Sequence, residues 1–225
     1  MPETPLQWRI LRARHRHPKP MSDQPQLPST QRLTLRRFTL DDLDLHCALT
    51  SDPEVMRYVG GVKTRAETEE LLRTRIVAYY DEHPGLGVWA TLEKATGACV
   101  GMHLINHIQG ESLIQVGYSL FPRYWGRGYA TEMTMGVLRY GFEQLGLPQI
   151  NAITDFPNIV SQRVLMKAGL QRNGERSFAH PRYADGPYAW FERTAAEWLA
   201  EHAPTAREAN PGPHGETGND RTITA

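Results

Sequence analysis

The sequence predicts a single α+β domain of mixed α/β character, and the order of its elements carries that prediction. Two segments with helical spacing of apolar residues follow the first strand. Three short strands separated by tight turns then form an antiparallel meander, after which strands and helices alternate. The predicted order is therefore strand, two helices, three strands, helix, strand, helix, strand. With 225 residues, the chain is long enough for one domain with a full hydrophobic core.

The opening strand and the two helices after it are predicted from local patterns. Arg32 to Phe38 alternates apolar and polar residues, as a strand does. Thr39-Leu40-Asp41-Asp42 supplies the start of a helix. Thr64 and Glu67 fit a capping box for a second helix, which His83-Pro84-Gly85 ends.

The remaining elements follow from alternation, turn residues and helical spacing. The predicted strands of the meander are Gly87 to Leu92, Ala98 to His107 and Ser112 to Leu120. The predicted later elements are a helix from about Tyr129 to Gly146, a strand from Ile150 to Thr154, a helix from Ile159 to Ala168 and a strand near Tyr188 to Arg193.

The two ends of the chain are predicted to lie outside the folded domain. Residues 1–30 combine prolines with a basic centre, and residues 203–225 are rich in Pro, Gly and Thr, so both are expected to be disordered. This leaves residues 31–202 for the domain. The basic arm could instead touch RNA or be a transit peptide. The segment that begins at Met21 looks like a natural start, so residues 1–20 could be a start-site artefact.

Composition argues against several classes of partner. Lys plus Arg and Asp plus Glu both number 25, so no overall charge favours nucleic acid or an anionic membrane. The two cysteines, Cys47 and Cys99, stand in apolar surroundings and suggest neither a disulfide framework nor a metal site. No apolar run is long enough to cross a membrane. We therefore expect a cytoplasmic protein that binds no metal, no membrane and no nucleic acid.

A glycine-rich turn between a strand and a helix is the strongest functional signal. Trp125-Gly126-Arg127-Gly128-Tyr129-Ala130 follows the strand that ends at Leu120 and opens an amphipathic helix. Such a turn offers unpaired backbone N–H groups and the positive end of the helix dipole to an anion. No Gly-Lys-Ser/Thr follows, and the preceding strands form a meander, which disfavours a Walker loop and a dinucleotide fingerprint. A pyrophosphate is the predicted ligand.

A second motif downstream completes a family pattern. After the strand Ile150 to Thr154 comes Asn158-Ile159-Val160-Ser161, and the helix ends in Lys167-Ala168-Gly169-Leu170. Together with the glycine turn, this pattern resembles GNAT acetyltransferases, specifically the RimJ/RimL-like branch that acetylates ribosomal-protein N-termini. The resemblance covers roughly Gln31 to Leu199, and its specific motifs occupy Gln115 to Leu170. It implies a mostly antiparallel sheet of about six to seven strands with about four helices, splayed between the fourth and fifth strands.

The resemblance also implies which residues hold acetyl-CoA. Backbone groups of the glycine turn would hold the CoA pyrophosphate, and the strand before it would bind the pantetheine arm. Asn158 would contact that arm and Ser161 would lie near the sulfur, although both residues also suit a helix cap. The implied cofactor-binding residues are Tyr118, Ser119, Leu120, Trp125, Gly126, Arg127, Gly128, Tyr129, Ala130, Thr131, Asn158 and Ser161.

Among the departures from the wider superfamily, which include Trp125 at the first position of the glycine turn, two concern catalysis. The strand position that often holds a basic glutamate is Gln115, which cannot accept a proton at useful pH. The helix position where many members have an acidic tyrosine is Leu165, which leaves Ser161 or water to protonate the thiolate. His180 falls roughly where some relatives have a glutamate that faces the acceptor, and histidine as a residue type titrates near neutral pH. His180 is the predicted general base, and Ser161 is the second predicted catalytic residue.

The predicted activity is direct attack of a primary amine on acetyl-CoA, with a strand N–H near Ser119 or Leu120 stabilising the oxyanion. The expected acceptor is a protein N-terminus, with a small amine or an antibiotic as the alternative, in a groove built from residues 51–63 and 172–188. Gln115 and Leu165 replace the usual base and acid. The alternative is therefore a protein that is not an enzyme, namely a module that senses acetyl-CoA without turnover. The protein is expected to be a monomer or a homodimer.

Overall fold

The computed structural model describes residues 25–184 and 186–202, so the predictions for residues 1–20 and for the C-terminal tail fall outside it. Within the described residues, seven strands form one sheet in the order β1-β2-β3-β4-β5-β7-β6. The strands are β1 (Leu33–Arg37), β2 (Gly87–Glu93), β3 (Cys99–His107), β4 (Ile114–Leu120), β5 (Gln149–Thr154), β6 (Gln171–Arg176) and β7 (Tyr188–Thr194). All neighbours are antiparallel except β4 and β5, which pair in parallel. The predicted mixed fold is confirmed.

Helices flank this sheet, and several begin at the predicted caps. The helices are α1 (Leu43–Thr50), α2 (Pro53–Met56), α3 (Arg65–Leu71), α4 (Tyr79–Glu82), α5 (Tyr129–Arg139), α6 (Ile159–Lys167) and α7 (Ala195–His202). A π-helical segment, Leu72–Val77, leads from α3 to α4, and another, Tyr140–Gln144, continues α5. Thr64 and Glu67 form the predicted capping box of α3. No helix of the described residues is long and apolar enough to cross a bilayer.

Three elements of the structure were not predicted: the short helix α2, the edge strand β6 and the helix α7. Asp52 starts α2, since its carboxylate accepts from two backbone N–H groups. Strand β6 is exposed at every position, so it carries none of the apolar alternation by which strands are recognised. Helix α7 begins after Thr194, which donates its hydroxyl hydrogen to Glu197 at 2.8 Å.

The fold begins before residue 31. Ser29 bridges to Thr34, and the hydroxyl of Thr30 donates to Glu132 of α5 at 2.6 Å. The last residues of the segment predicted to be disordered therefore attach the first strand to the helix that follows the glycine turn. The core lies mainly between the central strands and α5, where Met133, Val137 and Leu138 are buried, as expected of an amphipathic helix.

One histidine is buried in this core without a hydrogen bond. His46 of α1 is 1% exposed, and neither of its ring nitrogens has a partner among the described residues. Burial lowers the pKa of His46 to about 4. The folded state therefore keeps the ring neutral, whereas the unfolded chain takes up a proton below about pH 6.5. This residue's contribution to stability is present above that pH and is lost as the pH falls towards 4.

We expect His46→Leu to remove most of that acid sensitivity. A pKa of about 4 predicts that, at pH 5, His46 lowers the free energy of unfolding of the wild-type protein by about 2 kcal/mol relative to pH 7.5. Leucine has a similar volume and carries no orphaned nitrogen, so it should also stabilise the fold at pH 7.5. Urea unfolding of both proteins at the two pH values measures the difference. An equal loss of stability in both proteins would contradict the assignment.

Candidate active site

Strands β4 and β5 touch at one point and then diverge. Their register pairs Gln115 with Asn151 and includes no further residue pair. The side chain of buried Asn151 also joins the two strands here, because its Nδ2 donates to the carbonyl oxygen of Ile114 at 2.8 Å. Beyond it, β4 runs on to Leu120 with no strand of the described chain paired on that side. A gap therefore opens in the middle of the sheet.

The edge of β4 presents free backbone groups to this gap. Phe121 donates its N–H to a carbonyl of β3 at 3.0 Å, and in an antiparallel ladder such bonds alternate along the strand. Ser119 therefore bonds to β3, while the backbones of Tyr118 and Leu120 face the gap. The carbonyl of Leu120 accepts a hydrogen bond from Trp125 Nε1 at 2.8 Å. The N–H of Leu120 is left as a donor at the end of the gap.

A cleft of about 610 Å³ continues the gap. Its walls come from β4, the end of β5 and the start of α6, together with residues 57–61 after α2 and residues near the start of β7. The last group includes Arg182, Tyr183 and Tyr188. Both segments that were expected to form an acceptor groove thus contribute to the cleft.

The glycine turn forms as predicted and leaves the N-terminus of α5 open. Gly126 and Gly128 have φ angles of 73° and 77°, which glycine adopts with little strain. Gly128 is the N-cap of α5 and has no side chain, so no side-chain cap bonds to the first turn. A Cβ added to Gly126 would meet no atom within 4 Å, which means that the space beside the turn is free. The N–H groups from Tyr129 to Thr131 can therefore donate to an anion.

Side chains from both sides brace this turn. Arg32 donates from Nε to Glu132 at 2.6 Å and from Nη1 to the carbonyl oxygen of Arg127 at 3.0 Å. Burial tends to raise the pKa of Glu132, but hydrogen bonds from Thr30 and Arg32 outweigh it, and the pKa lies below its ordinary value. Tyr129 donates its hydroxyl to Glu93. These bonds fix the backbone of the turn, so that its N–H groups need no rearrangement to bind an anion.

The start of α6 brings three polar side chains together at the cleft. Asn158 caps the helix, because its Oδ1 accepts from the N–H of Ser161 at 3.2 Å. The Nδ2 group of Asn158 donates to no partner within the described residues. The hydroxyl of Tyr118 lies 3.1 Å from Ser161 Oγ and 3.3 Å from the carbonyl oxygen of Ser161, and it donates to them. Tyr118, Asn158 and Ser161 all line the cleft.

The contact between the hydroxyl of Tyr118 and Ser161 could not be predicted from the sequence. Burial raises the pKa of Tyr118 to about 12, so the hydroxyl keeps its proton at all ordinary pH values. Its ring lies beside that of His103, with centroids 5.7 Å apart. Burial lowers the pKa of His103 to about 3, and Thr91 and the carbonyl of Ala130 hold its ring nitrogens at 2.8 and 3.4 Å. The neighbour of Tyr118 is therefore a neutral ring.

His180 does not reach the cleft. Its Nδ1 accepts from the backbone N–H of Arg182 at 3.1 Å and so caps the 3-10 turn Pro181–Tyr183. A Cβ added to Gly110 would lie 3.1 Å from His180 Cβ, so the ring is next to the turn between β3 and β4. His180 is not among the residues that line the cleft. The structure thus gives His180 a capping role and does not support it as the general base.

The two positions that depart from the family pattern do line the cleft. Gln115 donates from Nε2 to Asn106 Oδ1 at 3.3 Å, and Leu165 is 2% exposed on α6. Asp155, at the end of β5, is the carboxylate among the described lining residues. Its place directly after β5 can be read from the sequence, which alone favours a structural or solvated role for it. The wall beside the gap is therefore largely neutral.

A comparison with known families decides what this site belongs to. A family model described as an acetyltransferase (GNAT) domain matches residues 32–171. The chain belongs to the GNAT acetyltransferase family. The match includes the splayed strands, the glycine turn and the start of α6. This GNAT protein is therefore an acyltransferase.

Similar proteins extend over most of the described domain. YoaA, an uncharacterized N-acetyltransferase of Bacillus subtilis, is 32% identical over 149 residues, which are 64% of this chain and 82% of that protein. Spermidine N(1)-acetyltransferase of Escherichia coli is 28% identical over 185 residues, or 78% of this chain and 93% of that protein. A crystal structure of a GNAT-family acetyltransferase from Bacillus anthracis has a TM-score of 0.62 at 25% identity and covers 76% of this chain and 99% of its own.

The site fits the acetyl-CoA that GNAT enzymes use. The uncapped first turn of α5 and the open space beside Gly126 suit a pyrophosphate. The free edge of β4 suits an amide-bearing arm that pairs with it as a further strand would. Both features are properties of the backbone. The described residues contain no group of three or more side chains that could hold a metal ion.

Proposed function

We propose that this GNAT protein acetylates the N-terminal α-amine of a protein or peptide, as the RimJ/RimL-like branch does. One observation carries the proposal. The described residues that line the cleft include no histidine, glutamate, lysine or cysteine, and their one carboxylate is Asp155; aspartate as a residue type, with a pKa of about 3.9, is a weak base towards an ammonium group. An enzyme with such a cleft needs an acceptor whose amine is already largely deprotonated at the working pH.

The ordinary pKa values of amines decide which acceptor meets that condition. An α-amine titrates at about 7.7 to 8.0 and a lysine-type amine at about 10.4. Near pH 7.5, the neutral fraction of the α-amine is therefore larger by about 300-fold. A polyamine would need a stronger base than the one aspartate of the described cleft wall. This favours a protein N-terminus over spermidine, which is the acceptor named for the Escherichia coli relative.

The donor is held by the glycine turn and the free edge of β4. The backbone of Trp125 to Thr131 binds the pyrophosphate, and the backbones of Tyr118 and Leu120 bind the pantetheine arm, with Asn158 Nδ2 as a further donor. When bound, acetyl-CoA supplies an acyl carbon activated as a thioester. The N–H of Leu120 faces the gap and donates to the thioester oxygen as negative charge develops there. Ser119, whose backbone bonds to β3, contributes only as part of the wall.

Ser161 and Tyr118 provide the route by which the leaving sulfur gains a proton. Ser161 Oγ donates to the sulfur as the carbon–sulfur bond breaks, and the hydroxyl of Tyr118 replaces that proton from 3.1 Å away. The proton released by the attacking amine returns through solvent to Tyr118. Leu165, in the position where many members of the family have a tyrosine, leaves this task to a hydroxyl that comes from the sheet.

The proposal is tested by acetylation of an acceptor panel across pH. Labelled acetyl-CoA is offered with peptides, spermidine and an aminoglycoside, and peptides acetylated on the N-terminal amine are the expected products. The rise of kcat/KM with pH should follow the pKa of the acceptor amine. His180→Ala should leave this profile unchanged, because its ring lies outside the cleft. Turnover of spermidine or the aminoglycoside alone would refute the proposed acceptor.

A further inference from the structure

The charged side chains of the cleft are unbalanced in favour of arginine. Among the described residues that line it, the charged ones are Arg57, Arg182 and Asp155. These three residues therefore set the net charge of the part of the wall that the structure describes. Most of the other lining residues are glycine, tyrosine, proline or aliphatic.

The two arginines come from segments far apart in the sequence, and both line the cleft. Arg57 directly follows α2, whose start is fixed by the Asp52 cap. Arg182 lies in the 3-10 turn Pro181–Tyr183, and its own N–H is held by His180. The backbone at both positions is therefore fixed, while both side chains remain exposed.

Neither arginine is neutralised within the described part of the chain. The ion pairs formed there are those of Arg32, Arg36, Arg65, Arg73, Arg139 and Arg193. Arg57 and Arg182 have no carboxylate within 4.0 Å among the described residues. Two guanidinium groups at one cavity, neither of which forms an ion pair with a described residue, attract an anionic group and repel a polycation.

We propose that the acceptor of this enzyme carries a carboxylate close to its reactive amine and that Arg57 and Arg182 bind that carboxylate. The inference rests on the proposed N-acetyltransferase function and names the chemical class of its acceptor. A guanidinium suits this task because its planar donors match both oxygens of a carboxylate.

An acidic peptide N-terminus and a free amino acid both present this chemistry, and the protein-type acceptor is the one that follows from the proposed function. In the peptide, the carboxylate belongs to an acidic side chain at the second or third position. In a free amino acid, it is attached to the same carbon as the amine. The test contains an arm for each.

The experiment compares pairs of acceptors in which one member has a carboxylate and the other has an amide, with spermidine as a polycationic acceptor. Peptide amides beginning Ser-Glu and Ser-Gln, serine and serinamide, and spermidine are acetylated at fixed saturating acetyl-CoA. We expect kcat/KM to be higher for Ser-Glu than for Ser-Gln by about 10-fold or more, mainly through KM, and to lose this preference at high salt. A greater preference for serine over serinamide would assign the site to free amino acids instead of peptides, with the same carboxylate chemistry.

Matched variants show whether the arginines are responsible. Arg57→Gln and Arg182→Gln should each lower the Ser-Glu to Ser-Gln ratio towards one without changing the affinity for acetyl-CoA. Arg139→Gln, at the opposite end of α5 from the glycine turn, is the control and should keep the ratio. Equal rates for the acidic and amide acceptors, or a preference for spermidine, would overturn the inference while leaving an active acetyltransferase. If no amine in the panel is acetylated, the proposed function fails and the inference falls with it.

Discussion

Gly126→Val is expected to weaken acetyl-CoA binding by about 100-fold or more. The added side chain fills the open space beside the glycine turn and blocks the N–H groups at the start of α5, so at least two charge-assisted hydrogen bonds to phosphate are lost. Calorimetric titration with CoA measures the change, and it needs no acceptor.

Gly146→Val is the matched control for that substitution. Gly146 has a φ of 63° and, like Gly126, has no atom within 4 Å of an added Cβ. Both variants therefore have a similar backbone strain of about 1 to 2 kcal/mol. Gly146, however, lies beyond the C-terminal end of α5, far along the chain from the glycine turn. Loss of CoA affinity in both variants would point to general destabilisation. Full affinity in Gly126→Val would refute the pyrophosphate site.

Tyr118→Phe is expected to lower kcat by about 10²- to 10⁴-fold and to leave CoA affinity nearly unchanged. The substitution removes the hydroxyl that lies 3.1 Å from Ser161 Oγ and keeps the ring beside His103. Because Ser161 and Tyr118 act as one route for the proton, Ser161→Ala and the double variant should lose about as much activity as Tyr118→Phe alone, within about 3-fold.

Tyr79→Phe controls for the loss of a partly buried tyrosine hydroxyl. Tyr79 bonds to His107 Nδ1 at 2.6 Å and does not line the cleft, so its variant should keep kcat. Fully additive losses in the Tyr118 and Ser161 variants would mean that the two hydroxyls act separately. Normal kcat in Tyr118→Phe would leave water as the acid.

The sequence predicted those parts of the site whose chemistry is local. The glycine turn, the N-terminus of α5 and the Asn158 cap each depend on residues adjacent in the chain, and each is present in the structure. The meander was predicted for the same reason, since short turns join neighbouring strands. Strand β6 was not predicted because its side chains are all exposed, and it is a strand only through its pairing with β7.

The parts that sequence reasoning missed depend on contacts between distant segments. Tyr118 and Ser161 are brought together only when α6 packs beside β4 across the splay. His180 was placed by analogy of position along the chain, but the residues before β7 turn its ring towards Gly110. The distances that decide both outcomes are set by tertiary packing, which local patterns do not encode.

In the proposed function, the backbone binds the acetyl donor and side chains select the acceptor. This separation bears on how the protein can be re-engineered. Under this proposal, acetyl-CoA is held mainly by main-chain groups within residues 118–131, so most side-chain substitutions there should leave those contacts in place. The walls proposed to hold the acceptor come from two other stretches, around Arg57 and around Arg182. Directed evolution confined to those two stretches could therefore change acceptor choice while the cell's acetyl donor remains usable.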